Sequence, residues 1–168
     1  MKASRASIDP CAASPEVVQA NFRYLSPKEQ SSRVGEGHAL QTPILVVDGF
    51  RPVLQIFVEA LTKAGYAARG VPDGRAAIDL LRARRYALIV CSYQMEGITG
   101  LDVLEATRRH ARGTPVILVS GVPSEIVAAG AYARGAFAVL AKPISMSDLL
   151  TTVHDALAAI PGREERAG

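Results

Sequence analysis

Residues 86–101, YALIVCSYQMEGITGL, decide the fold predicted for this chain. They begin with an apolar run at 87–91, which is typical of a parallel strand that is buried on both faces. The run ends at the polar Ser92, and a glycine-bounded turn follows it. Ligand sites in open α/β sheets lie just outside the carboxyl ends of the strands. The sequence therefore predicts that Ser92 stands at a functional edge of a sheet.

On both sides of that stretch, apolar strands alternate with amphipathic helices from Thr42 onward. A helix is predicted after every strand, and the last one has a strong start signal, with Ser145 at its N-cap and Asp148 three residues later. The strands are predicted at residues 43–47, 66–70, 87–91, 116–119 and 136–140. Short loops between them favour right-handed βαβ units. The predicted fold is α/β, a five-stranded parallel sheet doubly wound as (βα)5.

Length and composition favour one domain with extensions at both ends. The chain has 168 residues and 49% of them are hydrophobic, which is enough for one sizeable core. Residues 42–161 are predicted to be the domain and residues 162–168 a tail. Residues 1–41 are predicted to be a mostly disordered leader with a possible short helix at 14–25. That helix is either frayed or a docking segment, and the sequence leaves both readings open.

Charge and cysteine placement indicate neither a nucleic-acid footprint nor a metal site. The formal net charge is only +3, and basic residues are interleaved with acidic ones. Arginines 82, 84 and 85 are interpreted as the solvated end of a helix. Cys11 and Cys91 lie far apart and predict no disulfide framework. No apolar run approaches the roughly 18 residues of a membrane helix, so a cytoplasmic protein is expected.

Four polar residues end predicted strands and should meet at the carboxyl edge of the sheet. Their contexts are ILVVD, LIVCS, PVILVSG and VLAKP, and the residues are Asp48, Ser92, Ser120 and Lys142. In this order and with these contexts, residues 43–160 resemble the receiver domain of response regulators in two-component signalling, the CheY-like domains. The resemblance implies a domain that accepts a phosphoryl group from a histidine kinase.

In that family, an aspartate at the end of the third strand accepts the phosphoryl group, and two acidic residues after the first strand help it to hold Mg²⁺. Residue by residue, Asp48 matches the first acidic position, Gly49 occupies the second, and Ser92 occupies the position of the acceptor. A serine hydroxyl needs an adjacent base before it can attack. One carboxylate is also a poor set of ligands for Mg²⁺. We therefore expect no phosphotransfer to an aspartate, and weak or absent Mg²⁺ binding.

The remaining positions of the family pattern are matched only in part. Ser120 and Lys142 match the hydroxyl and the lysine that grip phosphoryl oxygens, whereas Val139 stands where many receivers have a switching aromatic residue. With two carboxylates missing, Asp48 and Lys142 are expected to form an ion pair, with Ser92 and Ser120 hydrogen-bonded around it. Such a pocket would be locked in one conformation.

The predicted function is that of a pseudo-receiver, a stand-alone module that is not an enzyme and acts by protein–protein interaction. The resemblance implies a partner of the pathway, a histidine kinase or an output protein, on the surface of the fourth helix, fifth strand and fifth helix. That surface would include Ile126, Ala129, Tyr132 and Val139, unless these residues are only core and rim.

Two other functions are less favoured by the sequence. In the first, Ser92 is phosphorylated by a Ser/Thr kinase, which its predicted burial disfavours. In the second, the domain binds a flavin or nucleotide after the first strand, but residues 49–52, GFRP, do not form a phosphate-binding loop. Only residues 163–168 follow the last predicted helix, so any output is expected to act in trans.

Overall fold

The apolar runs of the sequence form one parallel sheet. The structure is a computed structural model that describes residues 42–122 and 125–160, so the predicted leader, its helix and the tail lie outside the described residues. The strands are β1 (Ile44–Val47), β2 (Ala68–Val71), β3 (Leu88–Ser92), β4 (Val116–Ser120) and β5 (Ala138–Ala141). They pair in the order β2-β1-β3-β4-β5, and all four pairings are parallel. The predicted fold class is confirmed.

Five helices cover the two faces of this sheet. They are α1 (Arg51–Lys63), α2 (Gly74–Ala83), α3 (Gly100–His110), α4 (Glu125–Ala133) and α5 (Met146–Ala158). Successive strand residues point to opposite faces, so Ile44 packs with α1 and α5 whereas Leu45 packs with α2 and α3. Two apolar layers result, and every residue of β1, β3 and β4 is buried.

The strands β2 and β5 begin two residues later than the sequence predicts. In both cases the helix before the strand ends in a Schellman motif, which uses the backbone N–H of the expected first strand residue. Tyr66 donates to the carbonyl of Leu61 at 3.0 Å, and Ala136 donates to that of Ala131 at 3.0 Å. The turn glycines have positive φ, 89° at Gly65 and 87° at Gly135. The predicted strand starts at residues 66 and 136 are therefore wrong, because both residues close a helix.

Local capping fixes the helices that follow β3 and β5. Thr99 and Asp102 form a reciprocal capping box at the start of α3. The hydroxyl of Ser145 accepts from the backbone N–H of Asp148 at 3.0 Å, which confirms the predicted N-cap of α5. Among the described residues, no helix is both long and apolar enough to cross a membrane.

Candidate functional site

An ion pair between Asp48 and Lys142 lies at the carboxyl edge of the sheet. Asp48 follows β1 and Lys142 follows β5, and Lys142 Nζ lies 2.8 Å from Asp48 Oδ2. The other carboxylate oxygen, Oδ1, accepts from the backbone N–H of Phe50 at 2.8 Å. The Asp48 side chain is only 4% exposed and that of Lys142 is 23% exposed. Both oxygens of a buried carboxylate are therefore occupied by donors of this chain.

Ser92, the last residue of β3, joins this pair. Lys142 Nζ donates to Ser92 Oγ at 3.4 Å, and the hydroxyl itself donates to the backbone carbonyl of Gln94 at 3.2 Å. Ser92 is 4% exposed, because β3 is central and the start of α3 packs against its end. Its hydroxyl has two described hydrogen-bond partners, a cation and a backbone carbonyl, and neither is a base that would remove its proton.

Ser120 departs from the expected arrangement. Its hydroxyl donates to the backbone carbonyl of Val122 at 3.0 Å and accepts from the N–H of the same residue at 3.2 Å. These bonds close a tight turn after β4, and they replace the expected bond to the ion pair. Ser120 still helps to place the lysine, because its backbone carbonyl accepts from Lys142 N–H at 2.7 Å. Three of the four polar strand ends thus meet through side chains, and the fourth contributes its backbone.

Val139, which the resemblance predicts at the position of a switching aromatic residue, lies half-buried in β5. Its backbone N–H donates to the hydroxyl of Tyr132 in α4 at 3.3 Å. That bond connects the end of α4 to the edge strand, and the aromatic residue that makes it belongs to α4 and not to β5. The Lys142–Pro143 peptide bond that follows the strand is cis.

Cys91 precedes Ser92 in β3, and its buried thiol is unreactive. Burial raises the pKa of its thiol well above the ordinary value, the carboxylate of Asp48 raises it further, and Lys142 opposes the shift. The thiol is therefore neutral at physiological pH, and it points its weak donor at the carbonyl of Ser92 at 3.3 Å. Since the thiolate is the reactive form, Cys91 serves as a buried filler of the core.

The backbone of Gly100 packs very closely against the end of β3, whereas the sequence indicated only that this glycine lies in a turn. A Cβ at this position would lie 2.6 Å from the carbonyl oxygen of Ser92 and 2.9 Å from Tyr93 Cα. Real Cβ atoms do not approach a backbone this closely, so the start of α3 packs against the end of β3 only with glycine there. The sequence signal was the glycine spacing after Ser92, which does not reveal what the second glycine contacts.

The α4 surface contains exposed apolar residues. Ile126 is 84% exposed and Tyr132 is 51% exposed, and Ala129 is also exposed. Of the described side chains of α4 only Ala131 is buried. Two flanking residues that the sequence did not single out, Val122 and Phe137, are each 38% exposed. Most of the predicted surface is therefore exposed, and only Val139 is half-buried.

Comparison with known proteins places this fold and strand-end pattern in one family. A family model described as "Response regulator receiver domain" matches residues 44–154. Among curated relatives, the transcriptional regulatory protein HprR of Escherichia coli is 32% identical over 111 residues, which cover 66% of this chain and 49% of HprR. The nitrogen assimilation regulatory protein NtrX of Azorhizobium caulinodans is 30% identical over 124 residues, 73% of this chain and 27% of NtrX. The chain thus spans half or less of the length of these relatives.

Solved structures agree with the sequence relatives. The chemotaxis protein CheY4 of Vibrio cholerae superposes with a TM-score of 0.65 at 26% identity, over 69% of this chain and 98% of CheY4. The signal receiver domain of an HD domain-containing protein from Pseudomonas fluorescens gives a TM-score of 0.65 at 27% identity, over 70% of this chain and 96% of that domain. The chain belongs to the family of response regulator receiver domains.

Proposed function

We propose that this receiver domain is a pseudo-receiver, which signals in a two-component pathway by protein–protein contact and without phosphorylation of an aspartate. The observation that carries the proposal is the Asp48–Lys142 ion pair with Ser92 beside it. In the family pattern, the residue at the end of the third strand is the phospho-acceptor, and here it is a serine.

The chemistry of Ser92 argues against phosphoryl transfer. An aspartate is already ionised at neutral pH, but a serine hydroxyl becomes a nucleophile only when a base removes its proton. The hydroxyl of Ser92 donates to a backbone carbonyl and accepts from Lys142 Nζ. Neither partner is a base that could take the proton from the oxygen. Burial to 4% also disfavours the alternative in which a Ser/Thr kinase modifies Ser92, because a kinase needs an accessible substrate hydroxyl.

The ligands present at this edge do not fit Mg²⁺. The ion prefers octahedral oxygen coordination and gives up its water reluctantly, so protein sites commonly supply carboxylates. Asp48 is the carboxylate at the ends of the central strands, and its two oxygens accept from Lys142 and Phe50. Among the described residues, no group of three or more His, Cys, Asp or Glu side chains is placed to hold a metal. Binding of Mg²⁺ here would require breaking a buried ion pair.

The ion pair also supports a single fixed conformation. Receiver switching requires two arrangements of the pocket, and a ligand selects one of them only by binding it better than the other. Here the ammonium group of Lys142 is already paired with the carboxylate of Asp48, which favours one arrangement of the pocket. The apolar residues Ile126, Ala129 and Tyr132 are exposed in this same conformation, which supports constitutive binding of a pathway partner on α4, β5 and the start of α5.

The proposal is tested by phosphorylation with acetyl phosphate in the presence of Mg²⁺, read by intact-protein mass spectrometry. The natural chain is expected to gain no phosphoryl group, whereas the variant Gly49→Asp/Ser92→Asp, which restores both carboxylates, is expected to gain one. At position 49 the first side-chain atom is not blocked, since a Cβ on Gly49 has only an ordinary contact, 3.7 Å from the carbonyl oxygen of Pro72.

The matched control is Gly49→Asp/Ser92→Asn, which has nearly the same shape without the second carboxylate and should remain unmodified. Phosphorylation of the natural chain, or Mg²⁺ binding by it at micromolar concentration, would contradict the proposal. Failure of the restored variant alone would show that more than the two carboxylates has been lost.

A further inference from the structure

A basic hollow lies at the opposite edge of the sheet, where α3 and α4 end and β4 and β5 begin. Four arginines line it with one acid, Glu105, and its volume is about 620 Å³. The arginines are Arg108 and Arg109 on α3, Arg112 just after α3, and Arg134 just after α4. The sequence places the first two at a helix C-terminus, but only the fold brings Arg134 beside them.

Two of these guanidinium groups are held by the backbone. Arg108 Nη1 donates to the carbonyl of Arg134 at 3.1 Å, and Arg134 Nη1 donates to the carbonyl of Gly130 at 2.9 Å. Carbonyls are neutral acceptors, so these bonds orient the side chains without cancelling their charge. An oriented arginine loses less conformational entropy when it binds an anion.

The positive charge of the hollow is only partly compensated. Glu105 is shared by Arg109 at 3.6 Å and Arg134 at 3.5 Å. Four cations and one carboxylate leave a formal excess of three positive charges. The C-termini of α3 and α4 contribute a partial negative charge of about one half each, so about two positive charges remain. This excess favours an anion with more than one negative charge.

An aromatic hollow adjoins the basic one. It has a volume of about 590 Å³, shares Arg108 and Gly113 with its neighbour, and has Tyr132 and Phe137 among its lining residues. Tyr132 is 51% exposed and Phe137 is 38% exposed, and each residue makes a hydrogen bond, Tyr132 through its side chain and Phe137 through its backbone. The Tyr132 hydroxyl accepts from Val139 N–H at 3.3 Å, and Phe137 N–H donates to the carbonyl of Val116 at 2.8 Å.

We propose that the two adjoining hollows form a nucleotide site, with the phosphates on the arginines and the base against Tyr132 and Phe137. Arginine forks match phosphate oxygens in geometry and charge. Stacking on an aromatic ring contributes about 1–3 kcal/mol per base. A free inorganic anion would make no contact with the aromatic hollow, and a flat apolar ligand would not pair with the arginines of the basic hollow. The site is at the far edge of the sheet from Asp48, so it does not depend on the chemistry proposed for Asp48 and Ser92, and it shares Tyr132 with the proposed partner surface.

The test separates the two halves of the ligand. The full chain is titrated by calorimetry with ATP and GTP, with tripolyphosphate, which has no ring, and with adenosine, which has no phosphate. At least one nucleotide is expected to bind, tripolyphosphate about tenfold more weakly, and adenosine more weakly still. Arg112→Gln should weaken nucleotide binding about tenfold, as loss of one charge-assisted hydrogen bond implies.

Matched variants give the remaining readouts. Phe137→Leu keeps an apolar side chain but removes the ring, and it should weaken ATP while leaving tripolyphosphate unchanged. Arg84→Gln, in the exposed basic cluster at the end of α2, should change neither. Equal binding of tripolyphosphate and both nucleotides would overturn the nucleotide assignment and indicate a surface for an acidic protein. Absence of nucleotide binding at millimolar concentration, or an equal loss in Arg84→Gln, would overturn the site itself.

Discussion

The carboxyl edge of the sheet and the surface of α4 use their side chains in opposite ways. At the carboxyl edge, Asp48 and Ser92 are almost fully buried, and the polar atoms of each bond to Lys142 and to the backbone. On α4, Ile126 is 84% exposed and only Ala131 is buried among the described side chains. The first region satisfies its own groups, whereas the second leaves apolar area to water.

The difference separates stability from recognition. Polar groups that satisfy one another in a buried site hold the fold but offer little to a ligand, because a ligand must first break those bonds. Apolar side chains in water gain free energy when a partner covers them. A receiver domain whose polar strand ends are satisfied and whose α4 surface exposes apolar side chains is suited to the binding without switching that we propose. The following variants test whether the two regions differ in this way.

The largest effect is expected from Lys142→Met. This change leaves the Asp48 carboxylate buried without its cation, and breaking a buried pair in this way costs about 3–5 kcal/mol. Since Lys142 is 23% exposed and solvent moderates the pair, we expect the lower end, about 3 kcal/mol. Urea unfolding gives the free energy directly.

The double variant Asp48→Ala/Lys142→Met is the control, since it removes the unpaired charge as well. It should be more stable than Lys142→Met alone, and the difference measures the cost of the orphaned carboxylate. If Lys142→Met changes the stability by less than about 1 kcal/mol, a surface pair would explain it, and the carboxyl edge would not be the closed site described above.

The sequence predicted the strand ends well because each polar residue follows directly on a buried apolar run. Asp48, Ser92 and Lys142 meet for that reason alone, since parallel strands bring their carboxyl ends to one edge. The path of the loop after a strand is not predicted in this way. The hydroxyl of Ser120 bonds to Val122 because the turn after β4 folds back on itself, and no residue pattern specifies that path.

The sequence also did not predict which residues from different helices lie side by side in the fold. The sequence shows Arg108 and Arg109 at the end of α3, but Arg134 lies 26 residues after Arg108 and reaches it only through the crossover from α3 to α4. In the same way, the glycine spacing predicted a turn at Gly100, but it did not predict that Gly100 packs against Ser92. Helix and strand periodicity predict which face is buried, but not which two helix ends share a corner.

A matched pair of glycine substitutions gives the next effect in size. Gly100→Ala forces a methyl group to within 2.6 Å of the Ser92 carbonyl oxygen, which is backbone and cannot rotate away. We expect a loss of about 2 kcal/mol, typical of overpacking. Gly130→Ala in α4 meets only the flexible end of Arg134 at 3.4 Å, and it should stabilise the helix by about 0.5–1 kcal/mol. Urea midpoints that move in the same direction for both variants would contradict the contrast between a closed edge and an open helix.

The smallest effect is expected from Ile126→Ser on α4. With 84% of its surface exposed, Ile126 loses little on replacement, and the free energy of unfolding should change by no more than about 0.5 kcal/mol. Leu104→Ala is the control in the buried face of α3, where Leu104 is 1% exposed and truncation costs about 3 kcal/mol. Unfolding of the full chain measures both. A loss above about 1 kcal/mol for Ile126→Ser would mean that another part of this chain covers the residue in solution. The apolar face of α4 would then belong to the fold of this protein, and the partner surface would have to lie elsewhere.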